Sequence, residues 1–200
     1  MKSALDQFDE NLSRARALSG LAKTLVGLTT AVVDLTDIYR ASLVLGVSAL
    51  DQFVHEFVRL GMLEVHQGTR PPTDANLSFR IPLSAVKTGF ADPSRSDWLD
   101  ASIRNAHSWL SFQHPEKISG AIHLISDVKL WEAVGRVIGS DASAVKVRLI
   151  AIVDRRNQIA HEADMDPTNP GSRWPIDSAL VEDALNYIWL LAHAIYSSTV

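Results

Sequence analysis

A cluster of reactive residue types closes one apolar helical pattern. Residues 154–164 read DRRNQIAHEAD and directly follow the apolar stretch SAVKVRLIAIV. On a regular helix Asp154, Asn157 and His161 stand at i, i+3 and i+7, so they share one face. Arg156 lies about 140° around the helix from His161 and flanks that face. Its long side chain still brings a guanidinium towards the histidine.

These residue types suit cleavage of a phosphodiester without a metal ion. A histidine exchanges protons near neutral pH, and an arginine holds a phosphate and stabilises charge in the transition state. Asparagine orients either group without adding charge. RNA supplies its own nucleophile, the 2′-hydroxyl, which DNA lacks. RNA is therefore the substrate that this set of residues favours.

A structural interpretation fits the same residues. Cationic side chains in the last turn of a helix compensate the helix dipole, whatever else they do. Lys146, Arg148, Arg155 and Arg156 also make a modest basic strip, which either attracts phosphate or forms an ordinary solvated face.

The segment RRNQIAH resembles the signature of HEPN domains (higher eukaryotes and prokaryotes nucleotide-binding). That motif is an arginine, four to six residues beginning with a polar one, and a histidine, here Arg156, Asn157 and His161. The wider segment IVDRRNQIAHEAD and the upstream SALDQFVHE resemble the RiboL-PSP branch of the family. The resemblance extends over most of the chain through its helical order.

The resemblance implies an all-α bundle that dimerises and acts as a metal-independent endoribonuclease. Arginine and histidine from two protomers would meet in one cleft. Arg156 would stabilise the scissile phosphate, His161 would act as general acid or base, and Asn157 would orient, with Asp154 and Arg155 beside them. It also implies a role in toxin–antitoxin systems, phage defence or RNA processing, with an antitoxin or defence protein as a further partner.

A second segment, SALDQFVHE, places Asp51 and His55 at i and i+4 on one helical face, with Glu56 adjacent. Two ligands are too few for a metal site, and no HExxH pair accompanies them. One expectation is that Asp51 and His55 hydrogen-bond each other or a neighbouring helix. The other is that Asp51 and His55, with Glu56, pack behind the Arg156–His161 cleft and fix its geometry.

Composition limits the class of protein. The 200 residues are 46% hydrophobic and 21% charged with a net charge of −4, which excludes a broadly basic nucleic-acid coat. The lack of cysteine excludes disulfides and thiolate metal sites and fits a cytoplasmic protein. No cofactor or metal is expected, and neither a signal peptide nor a membrane span is predicted.

Helical periodicity predicts an all-α single domain over residues 1–200. A first helix covers 3–18, and the segment GLAKTLVGLTTAVVD either continues it after an interruption at Gly20 or forms a second short helix. A long central helix covers about 34–68. Residues 68–97 contain several prolines and are predicted to be an irregular insertion with a short turn of helix. Further helices are predicted over 95–112, 115–125, 128–139, 141–164 and 177–197. In the helix that carries the motif, Val147, Leu149, Ile150 and Val153 are the expected buried residues.

The tryptophans divide into two groups. Trp98, Trp109, Trp131 and Trp189 fall in helical patterns and are expected in the core rather than as platforms for bases. Trp174 follows the motif in a loop, where it either stacks on a base or packs over a dimer seam.

Three interpretations follow from the sequence. The first is a homodimeric endoribonuclease, and the second is a non-catalytic HEPN-like module that binds RNA or protein. The third is a structural bundle in which the cluster is only the end of a helix.

Overall fold

The computed structural model describes residues 1–30, 33–92 and 95–200. The protein is 71% helical, and the described residues contain no strand beyond one isolated bridge between Met165 and Arg173. The all-α prediction is confirmed. The helices are α1 (Lys2–Val26), α2 (Thr36–His66), α3 (Asp74–Leu77), α4 (Leu83–Ala91), α5 (Asp97–His107), α6 (Pro115–Ile122), α7 (Leu130–Ile138), α8 (Ala142–Glu162) and α9 (Ser178–Thr199).

The centre of the bundle is α2. It packs against α1, α9, α8, α5 and α6, and apolar residues on more than one of its faces are buried. Aromatic rings join it to α1: Phe8 lies 5.4 Å from Phe53, which stacks on Phe57 at 5.2 Å between centroids. α2 is long and apolar enough to cross a membrane, but 56% of that stretch is buried in the bundle, the pattern of a core helix.

The predicted interruption at Gly20 is wrong, because α1 runs unbroken to Val26. An exposed glycine costs a helix only about 1 kcal/mol relative to alanine. The buried residues Ala15, Ser19 and Ala22 on either side of it hold α1 against the bundle, which outweighs that cost.

The insertion at 68–97 is more ordered than the sequence predicts. It contains α3 and the nine-residue α4, and side chains before α4 fasten it to backbone carbonyls of the bundle. Arg70 donates to the carbonyls of Ile125 and Thr199 at 3.1 and 3.2 Å. Thr73 Oγ1 donates to the carbonyl of the first residue after α6 at 2.7 Å. Asn76 Nδ2 donates to the carbonyl of the second residue after α6 at 3.1 Å. Residues 93–94 of the insertion lie outside the described residues.

The helix that carries the motif begins with a side-chain cap, since Asp141 accepts from the backbone N–H of Ala144 at 2.8 Å. Its buried residues are Val145, Leu149 and Val153. The prediction that Val147 is buried is wrong, because it is 62% exposed. The stripe that meets the bundle is centred on positions i, i+4 and i+8, and Val147 stands to one side of it.

Candidate functional site

The end of α8 is tied to α2 by a buried carboxylate. Asp164 is fully buried; its Oδ2 accepts from Arg40 Nε at 2.6 Å and from Arg155 Nη2 at 2.9 Å. Arg155 Nη1 also lies 2.7 Å from Asp164 Oδ1 and forms an ion pair with it. The angle at this contact does not fit a hydrogen bond. Both arginines donate to the carbonyl of Trp174, at 2.9 and 3.2 Å. This group, Arg40, Arg155 and Asp164, is called the aspartate clamp below.

The chain reverses sharply at the clamp. Ala163 and Asp164 both adopt positive φ angles, 52° and 59°, a conformation that costs a residue with a side chain roughly 1–2 kcal/mol. The backbone N–H of Asp164 bonds back to the carbonyl of Gln158 at 3.0 Å. Burial lowers the pKa of Arg155, and the charge of Asp164 opposes that shift. The clamp offsets the strained turn and fixes where α8 ends.

Arg156 points away from the clamp. Its Nη1 donates to Asn157 Oδ1 at 3.0 Å, and its Nε is buried without a hydrogen-bond partner among the described residues. Both side chains are half-buried. The structure therefore brings together two of the three motif residues, and Arg156 has no acidic partner among the residues that the structure describes.

His161 and Asp154 are exposed on the other face of α8. Neither makes a side-chain hydrogen bond or ion pair within the described part of the chain. Because α8 stays helical through Glu162, Arg156 and His161 keep their angular separation of about 140°. One protomer thus presents the arginine and the histidine on separate sides of one helix.

The basic strip is mostly neutralised. Arg148 binds both carboxylate oxygens of Asp183 at 2.7 and 2.8 Å, and Lys146 lies 3.9 Å from Glu116. With Arg155 held in the clamp, Arg156 is the member of the strip that remains for an anion.

A groove runs beside the motif end of α8 and has a volume of about 470 Å³. Its apolar residues are Ala41, Val44, Leu45, Ile159 and Ala163, and its charged residues are Asp37, Arg40 and Arg173. Leu45 is 46% exposed. Arg156 is three residues before Ile159 and on the same side of α8, but it is not among the described residues that line the groove.

The SALDQFVHE segment packs against the connection between α5 and α6, and not, as expected, against the motif end of α8. Asp51 Oδ1 accepts from the backbone N–H of Phe112 at 2.5 Å, and its Oδ2 accepts from Gln113 Nε2 at 3.1 Å. The ring of His55 packs on that of Phe112 at 4.4 Å. Asp51 is eleven residues beyond Arg40, about 16 Å along α2. Asp51 and His55 therefore hold the α5–α6 connection, away from the clamp at the end of α8.

Glu56 belongs to a network between α2 and α5. It accepts from Arg59 Nε at 2.9 Å, and Arg59 also binds Asp100. Asp100 in turn accepts from Arg104 Nε at 3.1 Å. The Arg59 guanidinium lowers the pKa of Glu56, against the effect of its burial. No three histidine or carboxylate side chains of the described residues are grouped to hold a metal ion.

Sequence reasoning missed Arg40 and Asp164. A signal for Arg40 is present, because it is in register with the buried Leu43, Val47 and Leu50 on α2. An arginine on a buried stripe needs an acidic partner. For Asp164 the sequence gives no comparable signal, since it lies in a polar stretch beyond the helix.

The tryptophans also depart from expectation. Trp131 is buried and Trp98 is half-buried against the core, as predicted. The prediction is wrong for Trp109, which is 79% exposed beyond the end of α5. Trp189 is 39% exposed and packs in a tilted arrangement against His193. Trp174 is half-buried and contributes its carbonyl to the clamp.

Comparison with known proteins adds no relative. The chain matches no protein-family model, and no curated protein and no solved structure is significantly similar to it. The resemblance to HEPN domains therefore rests on the motif residues and the helical order.

Proposed function

We propose that the protein is a metal-independent endoribonuclease that acts as a homodimer, with a HEPN-like site made of Arg156, Asn157 and His161. The observation that carries the proposal is that the two adjacent arginines have different kinds of partner. The guanidinium of Arg155 is ion-paired with the buried carboxylate of Asp164. The guanidinium of Arg156 is instead hydrogen-bonded to the neutral side-chain amide of Asn157. This difference supports a role for Arg156 in binding an anion, in addition to compensation of the helix dipole.

The proposed chemistry is attack by the 2′-oxygen of RNA on the adjacent phosphorus. His161 removes the proton of the 2′-hydroxyl or protonates the departing 5′-oxygen. Arg156 stabilises the charge on the phosphoryl oxygens, and Asn157 orients the guanidinium through its present hydrogen bond. The products are a 2′,3′-cyclic phosphate and a 5′-hydroxyl end.

The proposal includes a second copy of the chain because one protomer does not bring Arg156 to His161. The apolar strip of Ala41, Val44 and Leu45 on the outer side of α2 borders the groove, beside the charged Asp37, Arg40 and Arg173. Two copies related by a two-fold axis along this strip would cover apolar surface on both. The same contact would place the arginine of one protomer near the histidine of its partner.

We further propose a cytoplasmic protein of toxin–antitoxin or defence systems, as the HEPN resemblance implies. In this setting an antitoxin or another defence protein restrains the nuclease. Co-expression identifies such a partner. The partner should relieve the toxicity of the wild-type chain, whereas a His161→Ala variant should be non-toxic with or without it.

The test is incubation of the purified protein with a mixed RNA pool in EDTA, followed by analysis of both product ends. Wild type is expected to cleave and leave cyclic phosphates, and His161→Ala is expected to be inactive. His123→Ala, which removes another exposed histidine, is the matched control and should cleave normally. Products with a 3′-hydroxyl, or cleavage that EDTA stops, would reject the mechanism. RNA binding without cleavage by wild type would favour the non-catalytic module.

A further inference from the structure

α4 has one side on the bundle and another in solvent. Its Gly89 is buried against α5, since a Cβ at that position would lie 2.5 Å from the ring of Trp98. Leu83, Lys87 and Phe90 stand at i, i+4 and i+7 on a face turned between about 100° and 160° around the helix from Gly89. Leu83 and Phe90 are 71% and 81% exposed, and Lys87 is exposed between them. These three residues are called the α4 ridge below.

The ridge faces outward because the ring beneath α4 is fixed. Trp98 Nε1 donates to the carbonyl of Arg95 at 2.9 Å, and its ring meets that of His66 edge to face, with 5.5 Å between centroids. Arg70 and Thr73 fasten the start of the same insertion to the bundle. Two large apolar side chains that share one face of a held helix mark a contact surface rather than the tip of a loose loop.

The charge around the ridge is locally positive. Residues 75–91 contain Arg80 and Lys87 and no acidic residue, so this stretch carries +2 in a chain of net charge −4. Both side chains are exposed, and neither forms an ion pair within residues 1–30, 33–92 and 95–200. The acidic residues at the borders of the stretch, Asp74 and Asp92, begin α3 and follow α4. The surface therefore suits a partner that is negatively charged as well as apolar.

A membrane surface meets both requirements. Amphipathic helices that lie in the plane of a bilayer place Leu and Phe at the boundary between headgroups and acyl chains, with Lys and Arg at the headgroups. The cytoplasmic leaflet of a membrane is anionic and attracts such cations. A nucleic acid matches the two cations but offers Leu83 no apolar environment. A protein partner would need an apolar groove with an acidic rim, whereas a bilayer presents both features along its whole surface.

We propose that the α4 ridge attaches the protein reversibly to the surface of an anionic phospholipid membrane. Leu83 and Phe90 enter the boundary between headgroups and acyl chains, and Arg80 and Lys87 bind lipid phosphates. α4 lies on the bilayer and does not cross it, because its nine residues extend about 14 Å against about 30 Å of hydrocarbon. Two apolar side chains and two cations give weak binding that salt reverses. The attachment goes beyond the proposed ribonuclease activity and does not depend on it.

The experiment is co-sedimentation of the full chain with sucrose-loaded vesicles of phosphatidylcholine, with and without about 30% phosphatidylglycerol, at about 0.1 M salt. Wild type should be half-bound to the anionic vesicles at an accessible lipid concentration on the order of 1 mM or lower. It should bind the neutral vesicles at least about fivefold more weakly. Phe90→Ser and Leu83→Glu should each weaken binding about tenfold, and Lys87→Gln should weaken it about fivefold.

Two controls make similar changes at other places. Leu28→Ser alters a 78% exposed leucine after α1, and Lys117→Gln alters an exposed lysine of α6; both should bind as wild type does. The lack of cysteine allows a second readout, a polarity-sensitive fluorophore attached at Phe90→Cys. Its emission should shift to shorter wavelength with anionic vesicles, whereas the same label at Leu28→Cys should not shift.

Binding that is lost in the ridge variants and kept in the controls supports the attachment. Circular dichroism checks that each variant is folded, and if Leu83→Glu is not, the label at Phe90→Cys decides. Three results would overturn the proposal: no binding of wild type to anionic vesicles, equal binding to both kinds of vesicle, or binding lost in Leu28→Ser but kept in the ridge variants. The first of these would assign the ridge to a protein partner instead.

Discussion

The guanidinium of Arg155 lies 2.7 Å from the fully buried carboxylate of Asp164, nine residues further along the chain. This contact joins the last turns of α8 to the strained turn that follows it, and Arg40 extends it to α2. The next residue, Arg156, is thereby presented from a fixed helix, and no carboxylate within residues 1–30, 33–92 and 95–200 neutralises it. Groups held on rigid, packed elements keep the geometry that catalysis requires.

Removing the carboxylate of the clamp should be costly. Asp164→Asn removes the counter-charge of Arg155 and leaves the buried Arg40 only its 3.7 Å contact with the exposed Asp37, and we expect the free energy of unfolding to fall by about 3–5 kcal/mol. Urea denaturation followed by circular dichroism measures it. The control is Asp154→Asn, which alters an exposed carboxylate on the same helix and should change stability by less than about 0.5 kcal/mol. Equal effects of the two substitutions would show that the clamp is not what holds α8.

The apolar strip of α2 should control assembly. Leu45→Glu places a charge on the proposed contact, so the variant is expected to be a folded monomer without ribonuclease activity. Light scattering coupled to size exclusion gives the mass, and the EDTA assay gives the activity. Leu83→Glu, at a 71% exposed leucine of α4, should retain both. A wild-type protein that is monomeric and still cleaves RNA would argue against the dimeric site.

Acid should weaken the fold through His107. Burial, and then the charge of His55, lower the pKa of His107 below its ordinary value of 6.5. The unfolded chain therefore binds this proton more readily than the folded one. Stability from the neutral imidazole is complete above pH 6.5 and is lost as the pH falls from 6.5 towards the folded-state pKa.

The free energy of unfolding is measured from pH 8 to pH 5 for wild type and for the His107→Phe and His123→Ala variants. The comparison is needed because the carboxylates contribute the same pH dependence to all three proteins. His107→Phe should lose less stability over this range than wild type, and His123→Ala should follow wild type. If His107→Phe loses as much stability between pH 8 and pH 5 as wild type does, His107 does not contribute to the pH dependence of stability.

Two glycines should respond oppositely to alanine. A Cβ at Gly61 would lie 2.8, 2.9 and 3.0 Å from three side-chain atoms of the buried Ile125, so Gly61→Ala should destabilise by about 1–3 kcal/mol. At Gly20 nothing lies within 4 Å of that position, and Gly20→Ala should stabilise α1 by about 0.5–1 kcal/mol. Thermal denaturation of both variants checks the signs. A stabilised Gly61→Ala would show that α2 and Ile125 are not in this close contact.

Periodicity predicts the helices because each must bury a stripe, and the long central helix and the helix of the motif follow directly from it. It does not predict which polar residues meet across the bundle. Arg155 and Arg156 are the same residue type in adjacent positions, and the turn at Ala163 and Asp164 decides that Arg155 is the one paired with a buried carboxylate. Likewise Asp51 and His55 face α5 and α6 because of how those short helices dock on α2, which helical spacing within α2 does not specify.

Trp109 illustrates a second limit of the sequence. Its position continues the helical pattern of α5, but the helix ends at His107, so the ring that periodicity places in the core stands in solvent. The end of a helix depends on backbone hydrogen bonds and local turns that a hydrophobic pattern does not record.

The most direct test of the composite site mixes two inactive variants. Arg156→Ala and His161→Ala are purified separately, shown to be folded and inactive, then mixed so that subunits reassort, and assayed on RNA in EDTA. If each site takes its arginine from one protomer and its histidine from the partner, a mixed dimer contains one intact site. Random reassortment makes half the dimers mixed, so about one quarter of the wild-type activity should return. No recovery from a mixture in which mixed dimers are demonstrated would contradict the account.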